Sequence, residues 1–517
     1  MGKKLYILLA SIAALSVYAE IKMPRIFSDD MLLQREKPVK IWGTAEPKAQ
    51  VGVEFAGQKK SATAAADGKW EVVLDPLSAS TELREMVVSE NGKSAKTFRD
   101  ILVGEVWVLA GQSNMQMSYS WRWNMKRPAG NAAIRYFENN SNIVYATPQS
   151  DVDPTAKWRR AEGGAVQNFS IIGYEFAREL NKDLNVPVGL VFTARGGTRM
   201  ETWIPFEVMG KSEYLKKRRA EFDEKMVDWR KGGFEKAKAA YDERTAKYEE
   251  AVKKAKAENK KIPQRVWWDS FPPTLESPMP YILSTPAVFW NAKVAPIAGY
   301  TARGFLWYQG ESNQDDSVAR FVEQFKILVD VWREKWGDAR AEMPWLAVEL
   351  VSYVDGKNWP QIRTAQRDGC KSVPNSKLVC TIDTGEQKDI HPADKRPISM
   401  RLQRAAMTSA YGDKSAVCDS PVAKSAKYEK GGAVVEFDTF GGKLVGRGEP
   451  RGFELKIGGK WVAAKPEIKS GASVFVASPD GSATPEGVRY AYKQWAKPEV
   501  WLFTDGGLPV FDFQIEK

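Results

Sequence analysis

The sequence predicts an α/β fold, in which a mostly parallel sheet is covered by helices and has a β-rich region on either side. Three short, mostly apolar runs, 106–110, 186–192 and 304–308, have the composition of strands buried on both faces. The segment 174–184, which has helical spacing, precedes the run 186–192, and 321–336 lies between 304–308 and a further apolar run at 345–351. Strands that alternate with helices along a chain are typical of a parallel sheet flanked by helices.

The first residues have the pattern of a secretory signal peptide. Lys3 and Lys4 are followed by an apolar run over 5–15 and by the small-residue site Val17-Tyr18-Ala19. A membrane anchor needs about 20 apolar residues, and this run is shorter. We expect residues 1–19 to be removed and the mature protein to be secreted or periplasmic, in a bacterium, without a membrane partner.

The two flanking regions alternate apolar and polar residues between turn signals. Residues 20–100 contain such runs at 39–43, 51–55 and 69–74, and they predict an N-terminal β-sandwich with a structural role. Residues 413–517 contain similar runs between glycine-rich turns and predict a C-terminal β-rich domain. The central domain is then 101–412.

A helical insertion, at about 211–261, is predicted within the central domain. Two sets of large residues recur at intervals of seven and predict two helices joined at Gly232-Gly233, a hairpin being one arrangement: Leu215, Phe222 and Trp229, then Phe234, Tyr241 and Tyr248. The insertion is either a lid over the site, a contact surface or an exposed structural arm.

The net charge of +11 raises the question of a nucleic-acid partner. Without Lys3 and Lys4 it is +9, and +6 of that lies in 211–261, where 17 basic residues mix with 11 acidic ones. Mixed-sign helical charge is typical of a solvated face. We therefore expect no nucleic-acid partner.

Cysteine and histidine are scarce. Cys370, Cys380 and Cys418 are too few for a disulfide framework, although Cys370 and Cys380 are a candidate pair in an oxidising compartment. With a single histidine and no Cys-x-x-Cys, the sequence has no transition-metal signature. We expect no metal and no cofactor, and carboxylate sites for calcium stay open.

Polar or glycine-rich loops follow the three apolar runs: Gly111-Gln112-Ser113, Gly196-Gly197 and 309–313. Loops after parallel strands share one edge of the sheet. Ser113 is a candidate nucleophile there, and His391, the only histidine, is the only candidate imidazole base. The alternative for the serine is an ordinary polar turn.

An esterase also needs donors for the developing oxyanion. A backbone N–H of Gly196 or Gly197, together with the amide of Gln309 or Asn313, could supply them; each glycine alone also fits a tight turn. The nucleophile elbow of α/β-hydrolases is Gly-x-Ser-x-Gly, and Met115 stands at its fifth position here. The sequence therefore argues against an ordinary α/β-hydrolase.

Four blocks resemble the SGNH (GDSL-like) hydrolases, and more closely the sialate O-acetylesterase family of carbohydrate esterases. They are Gly-Gln-Ser-Asn-Met (111–115), Gly-Gly-Thr (196–198) with Trp203, Trp-Tyr-Gln-Gly-Glu-Ser-Asn (307–313) and Asp-Ile-His-Pro (389–392). Segments 26–35 and 67–70 are similar to that family too, whereas 211–283 is longer than expected for it. The resemblance implies a three-layer α/β/α domain.

It also implies Ser113 as nucleophile, His391 as base, and oxyanion donors at the N–H of Ser113, Gly197 and Asn313. Many SGNH enzymes place the orienting acid three residues before the histidine, where Lys388 stands here. Asp389 is the first choice for that acid, and Glu311 and Asp383 stay open.

The implied reaction is the removal of acetyl groups from sugar hydroxyls. Two substrate classes compete: sialic acids, and polysaccharides such as acetylated xylan or xyloglucan. The alternative of another class is a carbohydrate-binding protein with an inactive hydrolase domain. The partner expected in each case is an O-acetylated carbohydrate, and the oligomeric state is not predicted.

Overall fold

The computed structural model describes residues 21–121, 125–140, 143–266, 272–276, 282–413, 415 and 417–517. The predicted signal peptide lies outside these residues. Within them the strands are Leu32–Gln34 (β1), Val39–Thr44 (β2), Gln50–Phe55 (β3), Gln58–Thr63 (β4), Lys69–Leu74 (β5), Ser80–Glu90 (β6), Lys93–Gly111 (β7), Asn131–Glu138 (β8), Lys157–Ala161 (β9), Val188–Phe192 (β10), Gly304–Tyr308 (β11), Trp345–Val348 (β12), Ser376–Val379 (β13), Val422–Glu429 (β14), Gly432–Asp438 (β15), Leu444–Gly446 (β16), Phe453–Ile457 (β17), Lys460–Ser470 (β18), Ser473–Ala477 (β19), Gly487–Tyr490 (β20), Leu502–Thr504 (β21) and Phe513–Glu516 (β22).

The α-helices of the described residues are Ser113–Gln116 (α1), Ile171–Leu184 (α2), Glu213–Asp228 (α3), Phe234–Ala257 (α4), Val318–Lys335 (α5), Trp359–Lys371 (α6) and Arg396–Tyr411 (α7). None of them is long and apolar enough to cross a membrane.

The central sheet has the order β13-β12-β11-β7-β10-β8-β9, and its strands are parallel except for β9. On one face Trp107 of β7 packs edge-on against Phe176 of α2, which lies beside α7. On the other face Phe305 and Trp307 of β11 pack against Trp332 of α5, which lies beside α6. The predicted three-layer α/β/α domain is confirmed.

The N-terminal strands join the central sheet through one long strand. β7 pairs with β6 and β1 in its first part and with β10 and β11 in its second part, so it spans residue 100, where a domain boundary was predicted. β3 lies between β4 and β6, while β2 and β5 form a separate antiparallel pair. The hydroxyl of Tyr300 donates to the carbonyl of Leu32 and links this region to the central domain.

The helical insertion consists of α3 and α4. The turn between them contains Gly232 at a φ of +124°, a conformation that favours glycine. Leu215, Phe222 and Trp229 are buried against the rest of the protein, whereas α4 is mostly exposed and buries Ala255 alone among the side chains of its 24 residues. The first set therefore belongs to the fold. In the second set, Phe234 packs against Trp229, while Tyr241 and Tyr248 contact Arg265 of the return segment.

The C-terminal region forms an antiparallel sheet in the order β14-β15-β19-β18-β17-β20-β22, accompanied by the pair β16-β21. Its core includes Cys380 and Ile382, which follow β13 of the central sheet. The fully buried ion pair of Arg363 and Asp512 joins α6 to this region at 2.8 Å.

The three cysteines are free thiols. The suggested pairing of Cys370 with Cys380 is therefore wrong. Cys370 is buried in the core of the central domain, whereas the thiol of Cys380 lies 3.2 Å from a carboxylate oxygen of Glu349. Because each thiol is packed against a different part of the protein, the two do not approach each other.

Candidate active site

Ser113 lies where β7 ends and the short helix α1 begins. Two residues before it, Gly111 has a φ of +122°, and a Cβ atom there would lie 2.1 Å from the carbonyl oxygen of Tyr308. Only glycine fits so close to the neighbouring strand. The turn brings the half-buried Ser113 to the carboxyl edge of the sheet, where parallel α/β sheets bind their ligands.

The glycines after β10 lie against this serine. A Cβ atom on Gly196 would be 3.1 Å from the Cβ of Ser113. The N–H of Gly196 donates to Oε1 of Gln116 at 2.7 Å, so it is occupied. Across the described ranges, the N–H groups of Ser113 and Gly197 have no protein acceptor. Of the two glycines, Gly197 is thus the one with a free backbone donor.

The amides of Gln309 and Asn313 are buried and bonded to neighbouring loops. Nε2 of Gln309 donates to Oδ1 of Asn313 at 2.6 Å and to the carbonyl of Thr198 at 3.2 Å, which uses both of its hydrogens. Nδ2 of Asn313 donates to Asp316 at 2.8 Å, and its Oδ1 also accepts from the N–H of Met200 at 3.0 Å. The two amides therefore fasten the loop after β10 to the loop after β11.

His391 lies on a loop that is bonded to the serine turn. The backbone N–H of His391 donates to Oδ1 of Asp389 at 2.8 Å, which shapes the loop as an Asx turn. One residue after Ser113, Nδ2 of Asn114 donates to the carbonyl of Ile390 at 3.0 Å. The residues that flank Ser113 and His391 are thereby hydrogen-bonded to each other, although they are far apart in sequence.

The three candidate acids have different surroundings. Asp389 is next but one to the histidine and already contacts its backbone. Glu311 is buried, and its Oε1 accepts from Asn114 at 2.6 Å. Asp383 forms a two-pronged ion pair with Arg401 at 2.6 and 2.7 Å. The carboxylates of Glu311 and Asp383 thus have hydrogen-bond partners other than the histidine, which favours Asp389.

Sequence reasoning missed several residues that hold the site together. Gln112 is buried and accepts from the N–H groups of Gly310 and Ser312 at 3.4 and 3.3 Å. Nζ of Lys395 lies 2.5 Å from Oδ1 of Asn114. The only signal for these roles was the position of each residue beside a recognised motif.

Fold and serine turn together define a class, the carboxylic ester hydrolases of the SGNH type. The model of one family, described as carbohydrate esterase, sialic acid-specific acetylesterase, matches residues 103–268 and 289–404. Because that match covers more than half of the chain, the protein belongs to this family. The first matched segment includes both helices of the insertion.

Known relatives agree with this assignment. Sialate O-acetylesterase of Mus musculus is 28% identical over 76% of this chain and 74% of its own. The human enzyme of that name is 24% identical over 90% and 87%. A carbohydrate acetylesterase from Xanthomonas citri has a solved structure that aligns with a TM-score of 0.76 and 25% identity, over 96% of this chain and 100% of that one.

Among the described residues there is no group of three or more His, Cys, Asp or Glu side chains arranged to hold a metal ion. The chemistry available at the candidate site is that of a hydroxyl, an imidazole, amides and carboxylates. These are the groups that acyl transfer requires.

Proposed function

We propose that this protein is a serine esterase that removes acetyl groups from sugar hydroxyls, and that its substrates are O-acetylated sialic acids. The observation that carries the proposal is a pair of N–H groups, of Ser113 and Gly197, that have no acceptor among the described residues. They lie beside a half-buried serine whose turn is bonded to the loop of the only histidine. Family membership supplies the substrate class.

In the proposed reaction Oγ of Ser113 attacks the acetyl carbonyl while His391 accepts the hydroxyl proton. The carbonyl oxygen becomes an oxyanion, which the N–H groups of Ser113 and Gly197 bind. The bond to the sugar oxygen then breaks, the sugar takes the proton from His391, and acetyl-Ser113 remains. Water attacks this ester with His391 as base and releases acetate. Asp389 is the proposed acid that orients the imidazole and stabilises its protonated form.

An exposed tryptophan beside the histidine supports a sugar substrate. Trp121 is 46% exposed, and its ring lies edge-on to the imidazole of His391 with centroids 5.8 Å apart. A large apolar ring open to solvent offers a surface on which a sugar ring can stack. We propose that the sugar of an ester bound at Ser113 stacks on this ring.

The test of the function is acetate release from a panel of acetylated sialic acids, xylan and xyloglucan. Ser113→Ala should lower the release by about 10⁴-fold or more without loss of the fold, because the hydroxyl is the nucleophile and a turn serine adds little stability. Release from sialic acids alone supports the proposed specificity. Release from xylan or xyloglucan instead would make acetylated plant polysaccharides the substrates. Activity of Ser113→Ala at the wild-type level would overturn the mechanism.

We further propose that the protein is exported, on the basis of the signal-peptide pattern in residues 1–19. Fractionation of expressing bacterial cells should find the protein, shortened by that segment, in the periplasm or the medium. Full-length protein confined to the cytoplasm would contradict the export.

A further inference from the structure

We propose that Asn114 is a positioning residue, which holds the His391 loop against Ser113, and that the buried side chains of Glu311 and Lys395 fix Asn114 in turn. The inference rests on the proposed roles of Ser113 and His391 and adds three residues to them. None of the three touches the reacting atoms in the proposed mechanism.

Both donor hydrogens and the oxygen of the Asn114 amide have a hydrogen-bond partner. Its side chain is 1% exposed; Nδ2 donates to Oε1 of Glu311 at 2.6 Å and to the carbonyl of Ile390 at 3.0 Å, and Oδ1 accepts from Nζ of Lys395 at 2.5 Å. An amide has two donor hydrogens, and here each points to an acceptor while its oxygen faces an ammonium group. The amide therefore has one orientation that satisfies all three partners.

The same side chain contacts the histidine loop on both sides of His391. Ile390 immediately precedes the histidine, and Lys395 follows it by four residues, directly before α7. A single amide thus anchors both ends of the short segment that carries the imidazole. Because Asn114 is the residue after Ser113, any movement of the segment relative to this anchor is a movement relative to the nucleophile.

Opposite charges stand on the two sides of the amide. Glu311 is 5% exposed and Lys395 is 1% exposed. Burial raises the pKa of Glu311, and the hydrogen bond from Asn114 and the positive charge of Lys395 oppose that rise. A buried charge is costly when its partner is removed. The charges of the glutamate and the lysine are therefore energetically coupled, and the Asn114 amide links the two side chains.

Displacement of reacting groups by about 1 Å is enough to cost about 100-fold in rate. We therefore expect Asn114→Ala to lower kcat for p-nitrophenyl acetate by about 100-fold while KM changes little, since the substrate pocket is intact. The matched control is Asn181→Ala. Asn181 likewise donates to a carbonyl, that of Val186, and accepts from a side chain, that of Asn131, but it lies before β10 at the opposite edge of the sheet.

A second variant gives a pH signature that a purely structural role would not give. Asn114→Asp replaces the two donors by a carboxylate that faces Glu311, so at neutral pH it should be less active than Asn114→Ala. As the pH falls, the introduced carboxyl group is protonated and regains a donor. The ratio of the kcat values, Asn114→Asp over Asn114→Ala, should then rise. This ratio removes the part of the His391 titration that the two variants share.

The charged partners are tested by a double-mutant cycle on kcat. Glu311→Gln and Lys395→Met should each lower kcat by at least about tenfold. The double variant should be less impaired than the product of the two losses, because the electrostatic coupling between the two side chains can be lost only once. Strict additivity of the two losses would overturn the part of the proposal that concerns Glu311 and Lys395.

The single histidine provides a direct readout in folded protein, because the imidazole signals in the NMR spectrum of histidine-labelled enzyme belong to His391 alone. Asn114→Ala should shift or broaden these signals, and Asn181→Ala should leave them unchanged. Unchanged signals together with a kcat within about threefold of wild type would overturn the proposal. The Ser113→Ala variant, measured in the same assay, separates this failure from a failure of the proposed function. If Ser113→Ala is inactive, only the positioning role of Asn114 is wrong. If Ser113→Ala is active, the proposed function itself is wrong.

Discussion

A carboxylate is buried near each end of the part of β7 that lies in the central sheet, and the two carboxylates differ in how completely they are paired. At the amino end of its central part, Glu105 is fully buried and receives Arg35, Arg303 and Gln34 on its two oxygens at 2.5–3.0 Å. At the other end, Oε1 of Glu311 receives the neutral amide of Asn114, and its Oε2 has no hydrogen-bond partner in the described structure.

This difference appears in the pKa values. Burial would raise the pKa of Glu105, but the hydrogen bonds and charge of Arg303, with Arg35, outweigh it and lower the pKa. For Glu311 burial wins, and the pKa is raised. Carboxylates with raised pKa values cluster at functional sites, although structural carboxylates such as Glu349 show them too. The carboxyl edge, where the proposed catalytic residues lie, is called the working end of the sheet below.

The largest effect expected at this working end concerns the acid that orients His391. Loss of such an acid costs on the order of 10⁴-fold in turnover with the geometry preserved. We expect this loss for Asp389→Asn, and losses of about 10- to 100-fold at most for Glu311→Gln and Asp383→Asn, since the first acts through Asn114 and the second is paired with Arg401. Steady-state kinetics with p-nitrophenyl acetate measure all three. A crippled Glu311→Gln beside an active Asp389→Asn would make Glu311 the acid.

At the opposite end, Glu105→Gln should affect stability and spare catalysis. Removing one partner of a buried ion pair leaves the others uncompensated and costs about 3–5 kcal/mol. Urea unfolding should show this loss, while kcat per folded molecule stays at the wild-type value. Glu311→Gln should show the reverse pattern, a larger loss of kcat than of stability. If the two variants lose kcat and stability in the same proportion, the two carboxylates do not differ in role.

A third buried carboxylate, Glu349, lies between the central domain and the C-terminal sheet. Burial, followed by the negative charge of Asp512, raises its pKa from 4.5 to about 7. The folded state thus favours the protonated carboxyl group, so its contribution to stability is complete below about pH 4.5 and is lost as the pH rises through about 7. Stability should therefore fall between pH 5 and pH 8 as this carboxyl group ionises.

Glu349→Gln cannot ionise and should therefore lose less stability than the wild type over that interval. Urea unfolding at pH 5 and pH 8 measures the difference. The same pH dependence in the two proteins would contradict this prediction. The positive charge of Arg363, which opposes the rise in the pKa of Glu349, would then offset the effect of burial.

Two kinds of feature could be predicted from the sequence: elements with a regular run of apolar residues, and residue types that occur only once in the chain. Buried parallel strands such as 304–308 are continuous apolar runs, and the only histidine of the chain has no competitor as a base. The burial of Lys395 has no such signal, because a lysine in Pro-Ala-Asp-Lys resembles a solvated turn residue until the fold supplies Asn114. The continuation of β7 past residue 100 depends on pairing with distant strands, which local alternation does not encode.

The sequence treats the insertion as one unit, but the structure divides it into a helix packed against the core, α3, and a mostly exposed helix, α4. Arg218 of α3 lies 3.5 Å from the buried carboxylate of Glu201 and donates to the carbonyl of Ser284. With its buried apolar side chains, α3 is part of the folded core. Replacing all of 211–261 should therefore unfold the protein.

The smallest effect is expected from removing the outer part of α4, which should be dispensable for folding and for turnover of small esters. The guanidinium of Arg265 lies 5.8 Å from the ring centroid of Tyr241, so the chain returns beside its starting point and a linker of about six Gly/Ser residues, about 20 Å when extended, can replace 242–264. We expect turnover of p-nitrophenyl acetate within about twofold of wild type, because this part of α4 is mostly exposed and carries no proposed catalytic residue. The control is Leu215→Asp in α3, which should lower the melting temperature clearly, since it buries a charge in the core. Loss of small-ester turnover in a folded 242–264 variant would mean that α4, through α3 and Glu201, supports the working end of the sheet.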